Sequence, residues 1–515
     1  MKKYITGISI LLFIFVLPAC EKGFDLIPKG SVSEAIYWQR ESDAELAVNA
    51  SYNYVDGFGL LDLEATTDIG YHASSSAGYF YDVAAGLIDP TNNDISDMWE
   101  DYYRGVRRAN DVITNIDLVK TGDPVKLARL KGEARFLRAY YYTQLTGLWG
   151  GVPLILTPLN INEHIGTTDK GTIVAFILTE LTDIITSNAL PKSYSSKDIG
   201  RATHGAALAL KARVALHNGM FDVARDAAKA VMDLGVYELY PNYGQLFMYA
   251  GKNSKEVIFD RQYAVGGGVH NAFGFSAASI GGSSDVEPVR TLLKKYEYKG
   301  PVNPLDPYEN LDPRWGFTVF YTGQPCGGAI YNSWPNSTTP DRLSGSEWAT
   351  DYGFNLKKYI DYDRDKANPA VGSINFILIR YADVLLMYAE AKIELNQIDQ
   401  SVYDAINAVR QRTSVEMPPI AAGKTQAQLR ALVRNERVVE LAFEGLRIFD
   451  VNRWQIGAEK AGVVEGMDYK DAVTGEWKIL NRGYNRSFRA DRDYLWPIPR
   501  EEIEINEKVT QNPNY

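Results

Sequence analysis

The chain has 515 residues, 45% of them hydrophobic, enough for a large core and, on length alone, for two to four domains. Its 64 acidic against 54 basic residues give a formal charge of −10, which excludes a nucleic-acid scaffold that would need surplus Lys and Arg against phosphate.

In chain order, Lys2 and Lys3 precede an apolar run, Ile8–Leu17, too short to span a bilayer and shaped like a secretory signal peptide over residues 1–19. Leu17-Pro18-Ala19-Cys20 follows, and a cysteine directly after a small residue resembles the lipobox of bacterial lipoproteins. Cleavage there would leave Cys20 as the acylated first residue, and several acyl chains on one residue make a stable anchor. The other cysteine, Cys326, then has no intramolecular partner, so no disulfide is expected despite export.

Glu21–Gln39 reads as a tether and lead-in, and Ser42 as the start of a helix over 43–54 that glycines 57 and 59 end. Thr66–Asp97 lacks a helical period and is predicted to be a long surface loop. Trp99, Tyr102, Val106, Ala109, Ile113 and Ile116 form the stripe of a helix over 97–119. After Gly122-Asp123-Pro124 comes KGEARFLRAYYYTQLTGLWGGVPL (131–154). Its stripe of Leu130, Ala134, Leu137, Tyr141, Leu145 and Leu148 makes it the partner of an antiparallel hairpin. Gly147, Gly150, Gly151 and Pro153 are expected to stop it, and three consecutive tyrosines send bulk in several directions, so this helix is predicted to be central. Helices are expected again over 169–186, 203–218 and 221–234. Ala207, Ala212, Ala224 and Ala228 stand where helices must approach closely, the logic of tetratricopeptide-like pairs with a degenerate repeat signature.

Residues 239–358 are rich in Gly, Pro, Asn and aromatics and read as ordered loops with short strands near 256–260 and 318–321. Helices return over 377–396, 402–412 and 425–443, and 489–515 is expected to be extended because of its prolines. The fold class is therefore mainly α: a tetratricopeptide-like helical-pair scaffold with a large loop-rich insertion and a few short strands. One domain, 20–515, would hold the scaffold (about 41–238 and 375–450), the insertion (about 239–374) and an extended segment (451–515).

Motifs for chemistry are lacking. The five histidines form no H-E-x-x-H, there is no C-x-x-C, and neither a Walker loop nor a nucleophile elbow is present, so no metal, cofactor or catalytic residue is expected. Glu436, Glu440 and Glu444, like Asp383, Glu390 and Glu394, recur along helices among arginines. They read as inter-helix salt bridges and a solvated face, since a glycosidase needs two carboxylates about 5–9 Å apart across a sugar.

Four stretches in consistent order, WEDYYRGVRRAN (99–110), GEARFLRAYYYTQLTGLWGGVPL (132–154), RYADVLLMYAEAKIE (380–394) and RDYLWPIPREEIEINEKVTQNPNY (492–515), together with the lipobox, resemble the RagB/SusD family of outer-membrane lipoproteins of Bacteroidetes. The resemblance implies a non-catalytic, cell-surface binder, lipid-anchored in the outer membrane and facing the exterior. It would capture oligo- or polysaccharide for a partner TonB-dependent (SusC-like) transporter, as in polysaccharide utilisation. It also implies that the loops of the first segment and of the insertion approach each other on the ligand face. Sugars stack their C–H faces on aromatic rings, so Tyr71, Tyr79 and Tyr81 in the first loop and Tyr331, Trp334 and Trp348 in the second are the candidate glycan-binding residues. Trp99, Trp149, Trp454 and Trp496 are assigned to the core. The alternatives are a peptide-capturing protein of the same architecture, a surface glycoside hydrolase, and a lid with no ligand of its own.

Overall fold

A computed structural model describes residues 37–72, 79–160 and 162–515, so the signal peptide and Cys20 lie outside the described residues. The central element is the helix Pro124–Trp149. Asp123 caps it by accepting from Val125 N, and Pro124 occupies the first turn, where its missing N–H costs nothing. Tyr140, Tyr141 and Tyr142 are all buried and reach three different partners. Their hydroxyls donate to Asp56, to the carbonyl of Ser51 and to the carbonyl of Ile155. The helix therefore has neighbours on several sides, as predicted. It runs on through Gly147, where an added Cβ would lie 2.6 Å from the Phe449 ring. That glycine admits a close neighbour; it does not stop the helix. The antiparallel partner is the helix Asn93–Asn115, followed by a short 3-10 turn.

The helices Lys170–Thr186, His204–His217 and Phe221–Asp233 follow, capped by Asp169 and Thr203 at the first two. Ala207, Ala212, Ala224 and Ala228 are fully buried, which lets these helices pack at short range. The helix Tyr381–Glu394 packs on 221–233 and on its own successors Gln400–Arg410 and Gln426–Leu441. With 46% helix and 11% strand the protein is mainly α.

Four segments differ from the sequence expectation. The first helix is Glu41–Ser51, capped at Arg40 instead of Ser42. Phe376–Arg380, read as helix, is a strand pairing antiparallel with Val257–Arg261. It is buried on both faces, and a short apolar run of that kind has no period to tell strand from helix. Residues 66–72, read as surface loop, are buried and include the strand Gly70–Tyr71, and a short helix spans Tyr81–Ala85. Beyond residue 451 the chain is not simply extended. The helix Arg447–Trp454 is followed by a β-hairpin, Gly462–Lys470 with Trp477–Arg486, and Pro499 precedes the helix Arg500–Ile505 instead of forbidding it.

The acidic stripes form salt bridges, but they do not face solvent. Arg380 pairs with Glu256, Glu440 and Glu444, Arg412 with Glu256 and Glu440, and Arg314 with Asp312, Glu436 and Glu440, all buried. Arg437 joins Asp383 and Asp450 at 2.8 and 3.0 Å. Charges this deep are costly unless mutually paired, and the pairing is something a one-dimensional stripe cannot reveal.

Candidate ligand-binding face

The first segment and the insertion meet in a two-residue antiparallel ladder, Gly70 opposite Pro288 and Tyr71 opposite Glu287. Behind it the Glu287 carboxylate accepts from the backbone N–H groups of Asp351 and Tyr352, both at 2.8 Å, and from the Thr350 hydroxyl. One buried acid thus pins the 350–352 loop to the strand that pairs with the one carrying Tyr71. The C-terminal hairpin closes the arrangement. Met467 N donates to the carbonyl of Tyr352 at 2.8 Å, Arg482 donates to Asp351 at 2.9 Å, and the Tyr484 ring lies 6.3 Å from those of Tyr71 and Tyr352. The buried Arg486 guanidinium sits 4.5 Å over the Tyr71 ring and donates to the carbonyls of Thr67 and Gly70. Burial without a carboxylate pulls its pKa down to about 10.

These contacts sort the six candidate aromatics. Tyr71 is only 2% exposed, covered by Ala84, Val289, Tyr352 and Val464. Tyr331 is fully buried, stacked on Phe320 and donating to Asn355 at 2.8 Å. Neither ring offers a face to a ligand, which corrects the expectation for both. Local composition made them look exposed, whereas elements far away in sequence cover them. Trp334 is half-buried, edge-on to Trp477 at 5.9 Å, and Tyr81 is half-buried with its ring 6.2 Å from Tyr71. Tyr79 and Trp348 stand out at 65% and 51% exposed. Trp348 is held from behind, since its carbonyl accepts from the Ser284 hydroxyl at 2.9 Å.

Trp99, Trp149 and Trp496 are core residues, with Trp149 edge-on to the other two at 5.3 Å each. Trp454 is half-exposed. It lies under the guanidiniums of Arg434 and Arg453 at 4.9 and 4.6 Å, and its Nε1 donates to Glu390. The hairpin residues Trp477, Arg482 and Tyr484 were missed by sequence reasoning. Alternation in WKILNRGY and the turn residues of DAVTGE were the available signal.

Chemically the face combines exposed rings with a guanidinium–carboxylate pair, Arg482–Asp351, at its edge. Among the described residues, no group of three His, Cys, Asp or Glu is placed to hold a metal ion.

A helical-pair scaffold that presents a loop-built aromatic face defines the class of protein. The SusD family pattern matches residues 249–515, and a pattern described as starch-binding associating with outer membrane matches residues 44–216. The chain belongs to the RagB/SusD family. A SusD-like carbohydrate-binding protein of Bacteroides fragilis NCTC 9343 is 30% identical, with 92% of this chain and 100% of that one covered and a TM-score of 0.85. A laminarin-binding SusD-like protein, 24% identical with 93% and 100% covered, shares the fold at a TM-score of 0.66. A SusD-like protein of Formosa agariphila is 24% identical over 539 residues, 97% of each chain.

Proposed function

We propose that the protein is a cell-surface, carbohydrate-binding lipoprotein that captures oligo- or polysaccharide and passes it to a TonB-dependent transporter in the outer membrane. One observation carries this reading. Tyr79 and Trp348, from the two segments joined by the Gly70–Pro288 ladder, keep their rings open to solvent while the surrounding rings are buried. An exposed ring on a braced loop suits the apolar face of a sugar, since little freedom is lost on binding. It also counts against a lid without a ligand. The carbohydrate-binding and laminarin-binding relatives support the ligand class. Tyr79, Tyr81 and Trp348 would form the stacking surface, Arg482 and Asp351 would bind hydroxyls, and Trp334 would contribute an edge. No catalysis is proposed, since the carboxylates of helices 381–394 and 426–441 are engaged by arginines, and Glu444 just beyond by Lys358.

Calorimetric titration with starch and laminarin oligosaccharides tests the reading. Trp348→Ala and Tyr79→Ala should each weaken whichever glycan binds by about 2 kcal/mol, the loss typical of a central anchor. Unchanged affinity in both would move the site elsewhere. The anchor has its own test, because Cys20→Ala should abolish acyl labelling and release the protein from membranes. Membrane retention of the unlabelled variant in cells lacking the transporter would remove the lipoprotein reading.

A further inference from the structure

Tyr79 also lines a cavity of about 290 Å³ that the aromatic face does not account for. Its wall carries Asp62 from the helix Gly59–Ala65, Asp94, Asp97 and Asp101 from the helix Asn93–Asn115, and Asp56 from the segment before the first of these helices. The cation in the wall is Arg261, whose guanidinium donates to the carbonyls of Asn53 and Val55. Most of these acids are provided for. Asp56 accepts from Tyr102, Tyr140 and Gln144, Asp94 accepts from Phe80 N at 2.6 Å, and Asp101 pairs with Arg104 at 3.3 Å.

Asp62 is not provided for. It is 5% exposed, it lines the cavity, and among the described residues its carboxyl group meets only its own backbone N–H and no side-chain hydrogen-bond donor. What faces it is His72, with Nε2 at 3.8 Å. His72 Nδ1 lies 2.7 Å from the carbonyl oxygen of Asp285, which can only accept, so that nitrogen carries the proton. Nε2 therefore presents a lone pair, and it too is buried without a partner. At 3.8 Å the two groups are beyond hydrogen-bond reach of each other, so neither satisfies the other and Asp62 is left facing the cavity. Burial, then the charges of Asp285 and Asp94, hold the Asp62 carboxyl well above the usual range, and a cation seated beside it would favour the ionised form.

The donor that fits carries positive charge, since the described residues of the wall include five carboxyl groups against one guanidinium. Among the described residues no three ligands converge to hold a bare metal ion. The negative potential is spread over a molecule-sized space with an exposed phenol ring on its rim.

We propose that this cavity is an ammonium subsite, which takes the protonated amine of an unacetylated amino-sugar unit onto Asp62 while the sugar ring lies on Tyr79. The proposal rests on the carbohydrate-binding reading and narrows it to amine-bearing glycans. Tyr79 argues for a sugar over a peptide amine, because its open ring offers a flat apolar platform where a sugar stacks.

The test is titration near neutrality in low salt with a glucosamine hexamer, its fully N-acetylated counterpart, maltohexaose, laminarihexaose and a trilysine peptide. The expected result is that the free-amine hexamer binds at least tenfold tighter than the acetylated one, that Asp62→Asn removes this preference, and that added salt weakens it. Asp97→Asn, on the exposed part of the wall, should reduce the same preference and keeps the test decisive should Asp62→Asn fail to fold. Equal affinity for the two hexamers overturns the subsite. Trilysine binding as tightly as the free-amine hexamer overturns the amino-sugar assignment. Binding of maltohexaose or laminarihexaose without an amine preference rejects the subsite and leaves the carbohydrate reading in place. Absence of binding to every saccharide rejects both.

Discussion

Tyr71 and Tyr79 lie eight positions apart in one segment and have opposite fates. Tyr71 enters a ladder with residue 287 and is roofed by Tyr352, Tyr484 and Arg486, whereas Tyr79 keeps 65% of its surface. Truncation should separate them. Tyr71→Ala removes a buried aromatic and should cost about 3–5 kcal/mol in denaturant unfolding. Tyr79→Ala should stay within about 0.5 kcal/mol of wild type, as surface changes usually do. Similar losses in the two would mean that Tyr79 is a packing residue and not a platform. Trp348→Ala should behave as Tyr79→Ala does.

At the level of elements, the hairpin 462–486 does most to shape the face, and glycine 466 fixes how it docks. A Cβ there would come 2.4 Å from the carbonyl oxygen of Tyr352, so Gly466→Val must push the hairpin off the 350–352 loop. Glycan affinity should fall severalfold while far-ultraviolet circular dichroism stays that of wild type. Retained affinity would show that the hairpin is a bystander. In the scaffold, Ala212→Phe overpacks a fully buried helix contact and should lower stability by about 1–3 kcal/mol, read in the same unfolding assay. The two elements also show what a sequence can disclose. Helix 93–115 was legible from its long amphipathic period, 170–186 from a period with its Asp169 cap, and 124–149 and 204–217, buried on nearly all sides, from their length, helix-forming composition and the caps Asp123 and Thr203, none of which needs distant information. The hairpin was not legible, since its strands carry interior glycines 466 and 483 and shift register twice, which blurs a period of two. Of the candidate site, the two loops and the exposed rings of Tyr79 and Trp348 were legible. The burial of Tyr71 and Tyr331, and the contribution of Arg482 and Tyr484, depended on contacts with segments remote in the chain, which composition does not record.

Across the whole molecule, buried ionisable groups tie remote segments together and give stability a definite pH dependence. Glu64, fully buried, accepts from the backbone N–H groups of Leu446 and Arg447 at 2.8 and 3.3 Å and so joins the first helices to a turn near the other end of the chain. Its second oxygen has no hydrogen-bond partner, and burial raises its pKa from 4.5 to about 7. Asp383 behaves oppositely. Although burial opposes ionisation, Arg213 and Arg437 outweigh it and lower the pKa from 3.8 to about 2. The signs then follow from linkage. The folded state holds the Glu64 proton more tightly than the unfolded chain, so this contribution is complete below pH 4.5 and is lost as pH rises to about 7. The Asp383 contribution is complete above pH 3.8 and is lost as pH falls to about 2. Asp260, raised by burial to about 6, acts in the same direction as Glu64. Glu64 and Asp260 therefore make stability decline from mildly acidic solution towards neutrality, while the buried His72 and His270, lowered by burial to about 4, act in the opposite sense. Glu64→Gln keeps the shape, supplies an oxygen for the two N–H groups and cannot ionise. It should flatten the decline between about pH 4.5 and 7 by about 3 kcal/mol, the free energy of that shift, while leaving the acid limb set by Asp383 in place. Urea unfolding at a series of pH values measures this directly, and parallel curves for wild type and Glu64→Gln would show that Glu64 is ionised throughout and that the decline has another source.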